Sequence, residues 1–267
     1  MDRGRHDVLG VMVSAVDYEA AVDAVMAAAL ARRPFAMSAA ASHVIMTGVH
    51  DAVHRHRLNS LDLLVPDGQP VRWALNLLHG TRLKERVYGP ELMLRLCSAA
   101  ERERISVYLY GSNPPTLEPL RAQLRRRFPT LRIAGARAGR FRRLTEEEGE
   151  ELVTEIRASG AGIAFIGLGC PRQEVFVYEQ RARLGIPLVA VGAAFDMHAG
   201  LARQAPVALQ RHGFEWLYRL VHEPRRLWRR YLRLGPEYLG LVALQALGIR
   251  RQDPGNTLAP TEETWVA

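Results

Sequence analysis

Seven short, largely apolar runs, at residues 8–13, 35–38, 61–65, 106–110, 131–134, 161–166 and 188–191, are separated by stretches with room for helices. Runs of this length, closed by Gly, Pro or Asp, read as buried strands. Parallel neighbours need a crossover of a dozen or more residues, which most of these gaps supply. The alternation therefore predicts an α/β fold, a mainly parallel, Rossmann-like sheet with helices on both faces. In such a sheet the crevice beyond the carboxyl ends of the strands is where ligands bind. The residues just after each run are the first candidates for function.

Pro66 stops the third run, and Asp67 and Gly68 follow it. A carboxylate at that edge is a candidate catalytic group; the same Asp-Gly pair also reads as the cap of a helix starting near Gln69. Gly111-Ser112-Asn113 follows the fourth run, where backbone N–H groups at a helix start can face an anion. Gly167-Leu168-Gly169-Cys170-Pro171-Arg172-Gln173-Glu174 follows the sixth. Its two glycines let backbone approach a ligand, and Arg172 and Gln173 fall at a helix N-terminus. Phe195 and Asp196 follow the last run.

Several activities are excluded. No Gly-x-Gly-x-x-Gly follows the first strand, no Walker Gly-Lys-Ser/Thr is present, and there is no Gly-x-Ser-x-Gly elbow. Cys97 and Cys170 stand 73 positions apart with no second Cys near either, so neither a metal knuckle nor a redox pair is expected. His50 and His54, within a predicted helix over 42–56, can share a face, but no third metal ligand is evident. The expectation is no metal and no cofactor. Residues 1–7 are polar and no long apolar run follows them, which predicts a chain without an N-terminal anchor that stays in the cytoplasm.

The net charge is +8, and 35 of the 36 basic residues are Arg, so only their placement informs. Residues 211–251 hold nine Arg against Glu215, Glu223 and Glu237. Such a basic segment points to a polyanion, either nucleic acid or an anionic membrane face. On a helical wheel Arg225, Arg226, Arg229, Arg230 and Arg233 occupy an arc of roughly 140°, opposite Leu227, Trp228, Tyr231, Leu232 and Leu234. With Arg219 these are the candidate membrane-facing residues, unless the apolar face packs on the domain. The predicted organisation is an α/β domain over 1–206, a basic amphipathic helical appendage over 207–251 and a disordered tail over 252–267.

Taken together, Pro-Asp-Gly at 66–68, Glu-Arg-Val-Tyr-Gly-Pro-Glu-Leu at 85–92, the 167–174 stretch, Val-Gly-Ala-Ala-Phe-Asp-Met-His-Ala-Gly at 191–200 and Gln-Ala-Pro at 204–206 resemble the WecG/TagA/CpsF glycosyltransferase family. The resemblance continues through Gly213-Phe-Glu-Trp-Leu-Tyr-Arg-Leu and Glu223-Pro-Arg-Arg. It implies an inverting, metal-independent transferase that moves an N-acetylhexosamine, or its uronic acid, from a UDP-sugar donor to a polyprenyl-diphosphate-linked sugar acceptor. The setting it implies is cell-surface polysaccharide synthesis, peripheral on the inner face of the membrane, with no nucleic acid and with self-association into a homo-oligomer left open. Asp67 would be the general base and Arg86 the partner of the diphosphate. Gln173 would lie near the sugar, and Gly167, Gly169 and Asp196 near the nucleotide. Where family members usually carry Thr-x-Asn after the second strand, this chain reads Ser38-Ala39-Ala40, with Ser38 in the Thr position. The competing class is a non-catalytic nucleotide- or nucleic-acid-binding α/β module whose Arg stripe holds phosphates.

Overall fold

The computed structural model describes residues 1–262; residues 263–267 and the side chains of Val207, Arg211, Arg226 and Arg230 lie outside the described residues. The chain opens with an antiparallel hairpin, β1 (Asp2–Val8) and β2 (Val11–Val16). The apolar run at 8–13 is therefore two strand ends and a turn rather than one strand. Leu9 and Gly10 adopt φ of 57° and 83°, the left-handed backbone that a two-residue hairpin turn requires. The hairpin lies beside the sheet, where Ser14 Oγ accepts from the Leu64 N–H at 3.2 Å.

Six strands form the sheet: β3 (Phe35–Ala40), β4 (Leu63–Pro66), β5 (Val107–Gly111), β6 (Ile133–Arg137), β7 (Ile163–Gly167) and β8 (Pro187–Ala190). Their order is β4-β3-β8-β7-β5-β6 and every pairing is parallel. Side chains alternate between the faces with period two. Along β7, Ile163 and Phe165 join one buried cluster while Ala164 and Ile166 join the other.

Helices α1 (Tyr18–Leu30), α5 (Gly89–Arg102), α6 (Pro114–Arg127) and α9 (Ala194–His198) cover the Phe165 face. Helices α2 (Ser42–His50), α3 (Ala52–Asn59), α4 (Gln69–His79), α7 (Glu146–Ala158) and α8 (Arg172–Leu184) cover the other. The predicted helix over 42–56 is thus two helices. Asp51 breaks it at φ −131° and ψ 112°, and its carboxylate caps α3 through the Val53 and His54 N–H groups. His50 and His54 consequently do not share a face: His50 reaches outward to Glu237 at 2.8 Å, whereas His54 is buried.

From β5 the chain turns through α6 on one face to β6, and from β7 it turns through α8 on the opposite face to β8. The adjacent carboxyl ends of β5 and β7 are therefore a topological switch point, which opens a crevice between diverging turns.

Beyond α9 come α10 (Val207–Arg211), α11 (Glu215–His222), α12 (Pro224–Trp228), a π-helical segment (Arg229–Leu234) and α13 (Gly235–Ala246). The last packs on the body of the domain. Tyr238 and Val242 are buried in the core, Tyr238 Oη donates to Pro70 O at 3.3 Å, and Gln245 accepts from the Leu9 N–H at 2.9 Å. The expected disordered tail also differs over its first part. Arg55 and Asn59 of α3 donate to Asn256 O and Pro254 O, and the Leu258 N–H donates to Ala52 O. Among the described residues no helix is long and apolar enough to cross a membrane.

Candidate functional site

The switch point is built from two glycines in contact. Gly111, at the end of β5, has φ of +113°, and a Cβ there would meet the Gly167 backbone at 2.7 Å. A Cβ on Gly167 would in turn meet the Phe195 ring at 2.7 Å. Only glycine at both positions lets the strand ends, and α9 beneath them, close up. Phe195, expected to touch substrate, is fully buried under Gly167 and acts as the floor of the turn. Next to it Asp196 Oδ1 accepts from Ser112 Oγ at 2.8 Å and from Thr116 Oγ1 at 3.2 Å, which ties α9 to the start of α6.

The turn after β7 is held from inside by Gln173. Its Oε1 accepts from the Gly169 N–H at 3.2 Å, and its Nε2 donates to Glu174 Oε1 at 2.9 Å. That same carboxylate oxygen accepts from Ser38 Oγ at 2.8 Å. Ser38 is fully buried, because the pleat of β3 turns it toward α8; Ala39, one step along, faces the crevice. Ser38 therefore supports the turn and does not line the cleft. Arg172 also lies outside it, exposed, with its guanidinium 5.8 Å from the Phe141 ring. The cleft above these turns, about 260 Å³, brings together Asp67, Ser112, Asn113, Gly167, Gly169, Gln173 and Asp196.

Asp67 stands at the wall between this cleft and a second cavity of about 320 Å³, lining both. Its Oδ1 accepts from the Gly89 N–H, the first amide of α5, at 2.7 Å. The carboxylate thereby satisfies an otherwise unpaired helix N-terminal donor and is fixed in place. The second cavity is largely apolar and is walled by Trp216, Tyr231, Leu232 and Leu239 from the C-terminal helices, with Gly68 at the base of α4. Two further residues line both cavities, Tyr88 and Arg219. A wider surface concavity of about 1110 Å³ beyond Arg86 contains neither Asp67 nor a strand-end glycine.

Arg86 lines the apolar cavity but not the polar cleft. It makes a buried ion pair with Glu215, donates to Gln210 Oε1 at 3.2 Å and stacks 4.2 Å over the Tyr88 ring. Burial, the largest influence, works against its charge, but Glu215 and then Asp67 outweigh it and raise its pKa above the ordinary value. Its partner is thus neither of the neighbouring acids Glu85 and Glu91 but one 129 positions further along.

Arg219, placed by sequence with the membrane-facing group, instead points inward. Arg225, Arg229 and Arg233 are exposed as expected, while the side chains of Arg226 and Arg230 lie outside the described residues. The apolar side of the wheel does not stay together. Leu227 is buried while Trp228 and Leu232 stay 47% and 58% exposed, and from Arg229 the i→i+5 bonding of the π segment departs from the 100° step of the wheel. Tyr88 and His43 line the cleft although the sequence did not single them out for the site, and Arg219 lines it although the sequence assigned it to the membrane face. Tyr88 lies in the Tyr-Gly-Pro motif and Arg219 in the 213–220 motif, so both stretches offered a signal.

The chain is similar to an N-acetylglucosaminyldiphosphoundecaprenol N-acetyl-beta-D-mannosaminyltransferase of Bacillus spizizenii, with 32% identity over 186 residues, 69% of this chain and 69% of that protein. The model of the Glycosyl transferase WecG/TagA/CpsF family matches residues 6–252, a span that takes in every strand-end motif and α13. With its polar cleft at the switch point and a carboxylate at the cleft's edge, the chain belongs to the WecG/TagA/CpsF family of glycosyltransferases.

Proposed function

We propose that the protein transfers an N-acetylhexosamine, or its uronic acid, with inversion from a UDP-sugar to a sugar on a polyprenyl diphosphate, in the synthesis of a cell-surface polysaccharide. The observation that carries this reading is the position of Asp67, whose carboxylate borders a polar cleft on one side and an apolar groove on the other. A nucleotide-sugar suits the first, where the Gly111 to Asn113 turn leads into the N-terminus of α6. A lipid-linked acceptor suits the second. The relative from Bacillus spizizenii is named for an N-acetylmannosamine transfer to N-acetylglucosaminyldiphosphoundecaprenol, which makes that donor and acceptor the first pair to test.

In this mechanism the acceptor hydroxyl attacks the anomeric carbon from the side opposite UDP. Asp67 takes the hydroxyl proton as the C–O bond forms, and UDP leaves with the bonding pair of its glycosidic C–O bond. Charge growing on the diphosphate is met by backbone N–H groups and by Arg219, which lines both cavities. These groups do the work without a metal ion. Arg86 acts one step back: paired with Glu215, it docks α11 against the body and keeps positive charge near Asp67.

A peripheral position on the inner face of the membrane fits the same geometry. The apolar groove opens among Trp216, Leu232 and Leu239, all exposed, near the exposed Arg225, Arg229 and Arg233. Arginine beside exposed Trp and Leu suits an anionic headgroup layer. The rival reading, a phosphate-holding module without catalysis, gains nothing from an Arg219 turned inward. The deciding experiment measures UDP release from a panel of UDP-N-acetylhexosamines in the presence of a polyprenyl-diphosphate-linked N-acetylglucosamine. No release with any donor, together with salt-sensitive binding to nucleic acid, overturns the proposal.

A further inference from the structure

At the turn between β7 and α8, three chemically distinct side chains converge. The imidazole of His54 on α3, the thiol of Cys170 in the β7–α8 turn and the carboxylate of Glu174 in the first turn of α8 lie within 4.8 Å of one another. We infer that His54, Cys170 and Glu174 form a site for a single borderline-soft divalent cation of the Zn²⁺ type, separate from the catalytic groups.

Two observations besides proximity point to a cation. His54 Nε2 and Glu174 Oε2 are both buried and have no hydrogen-bond partner, on residues only 3% and 0% exposed. A buried polar atom left unpaired is unfavourable and calls for a resident group. Among the described residues no ion pair includes Glu174, and Arg57, which acts on His54, is bonded to Glu179 at 3.0 Å. Glu174 Oε1 is already held by Ser38 and Gln173, which leaves Oε2 to face the cluster.

The donor set selects the ion. Nitrogen, sulfur and one carboxylate oxygen suit Zn²⁺ or Co²⁺ and do not suit Mg²⁺ or Ca²⁺, which take oxygen. Ligand atoms around tetrahedral Zn²⁺ sit roughly 3.5 Å apart, given bonds of about 2.0–2.3 Å, so closing on the ion asks for shifts on the order of 1 Å. Cys170 also lines the polar cleft and gives the ion its way in. On binding, the Cys170 S–H proton is released to solvent and the thiolate becomes the ligand. The ion would bridge α3 to the turn that carries Gln173. This inference does not depend on which sugar or acceptor the enzyme uses.

The test uses the full chain, stripped with chelator and titrated with Zn²⁺ and with Co²⁺. One Zn²⁺ retained per chain after desalting is expected, as is a thiolate-to-cobalt charge-transfer band in the near ultraviolet. Cys170→Ser should abolish the band, and His54→Gln should weaken Zn²⁺ binding by at least about tenfold. His50→Gln, on the exposed side, should change neither. Far-UV circular dichroism separates lost binding from lost folding in each variant. Substoichiometric retention, absence of the band in the parent, or a band that survives Cys170→Ser overturns the site; a water bridging His54 and Glu174 would give the first of these.

Discussion

The Gly89 N–H donates to Asp67 Oδ1 at 2.7 Å, so one end of the proposed base is fastened to the start of α5 while the carboxylate still borders both cavities. An amide oxygen accepts that bond equally well. Asp67→Asn should therefore fold as the parent does and keep its affinity for UDP, yet lose about 10²–10⁴ in turnover, the range for removal of a general base. UDP release and UDP titration, run side by side, check it; a variant with parental turnover would remove Asp67 from the chemistry.

Gly111→Ala should both destabilise the fold and weaken nucleotide binding. The added methyl would sit 2.7 Å from the Gly167 backbone at φ +113°, and strain with overpacking of this kind costs about 3 kcal/mol. Urea denaturation measures the loss.

The Arg86–Glu215 pair, each side chain 11% exposed, makes a sharper test. Arg86→Met leaves Glu215 buried and unpaired, at a cost of about 3–5 kcal/mol. Adding Glu215→Leu should restore most of that stability but not the activity, because both α11 docking and the charge near Asp67 depend on the pair. Parallel stability and turnover measurements on the two variants distinguish support of the fold from support of the reaction.

Vesicle binding should fall when Arg225, Arg229 and Arg233 are all changed to Gln. At about 1 kcal/mol per arginine near an anionic surface, the loss is about two orders of magnitude in partitioning, and it should shrink in high salt. Unchanged sedimentation with anionic vesicles would detach these residues from any membrane role.

His198 gives a pH dependence. Burial, the largest influence, holds its pKa below the usual imidazole value; Arg127 adds to the depression, while its hydrogen bond to Pro90 O and Glu91 oppose it. The unfolded chain therefore binds a proton that the folded chain refuses. Stability is complete above the unfolded pKa of about 6.5 and falls as pH drops from there toward the lower folded value. His198→Gln should flatten part of that fall in urea titrations between pH 7.5 and 5.5.

How far residues alone could foretell this site depends on the range of the interaction. Strand ends are local, and Asp67, Gly111, Gly167 and Asp196 fall where the apolar runs stop, so their gathering on one edge was legible. Side-chain direction was not. Ser38 stands near the right strand end but points to α8, because a single step along a strand reverses the face. Turns hidden inside apolar runs were also lost: the β-branched residues on either side of Leu9 and Gly10 read as one strand. The pairing of Arg86 with Glu215 across 129 residues leaves no local trace, and neither does the π segment that breaks the helical wheel at Arg229.

Gln245 on α13 also bears on how the chain is made. It grips Leu9 and Asp7, 236 and 238 residues earlier, while Tyr238 and Val242 plug the layer next to α4 and α2. A ribosome must have released the chain through α13 before that plug can be seated. Until then the nascent protein carries an open greasy seam, and a stop codon between residues 234 and 246 would leave that seam uncovered.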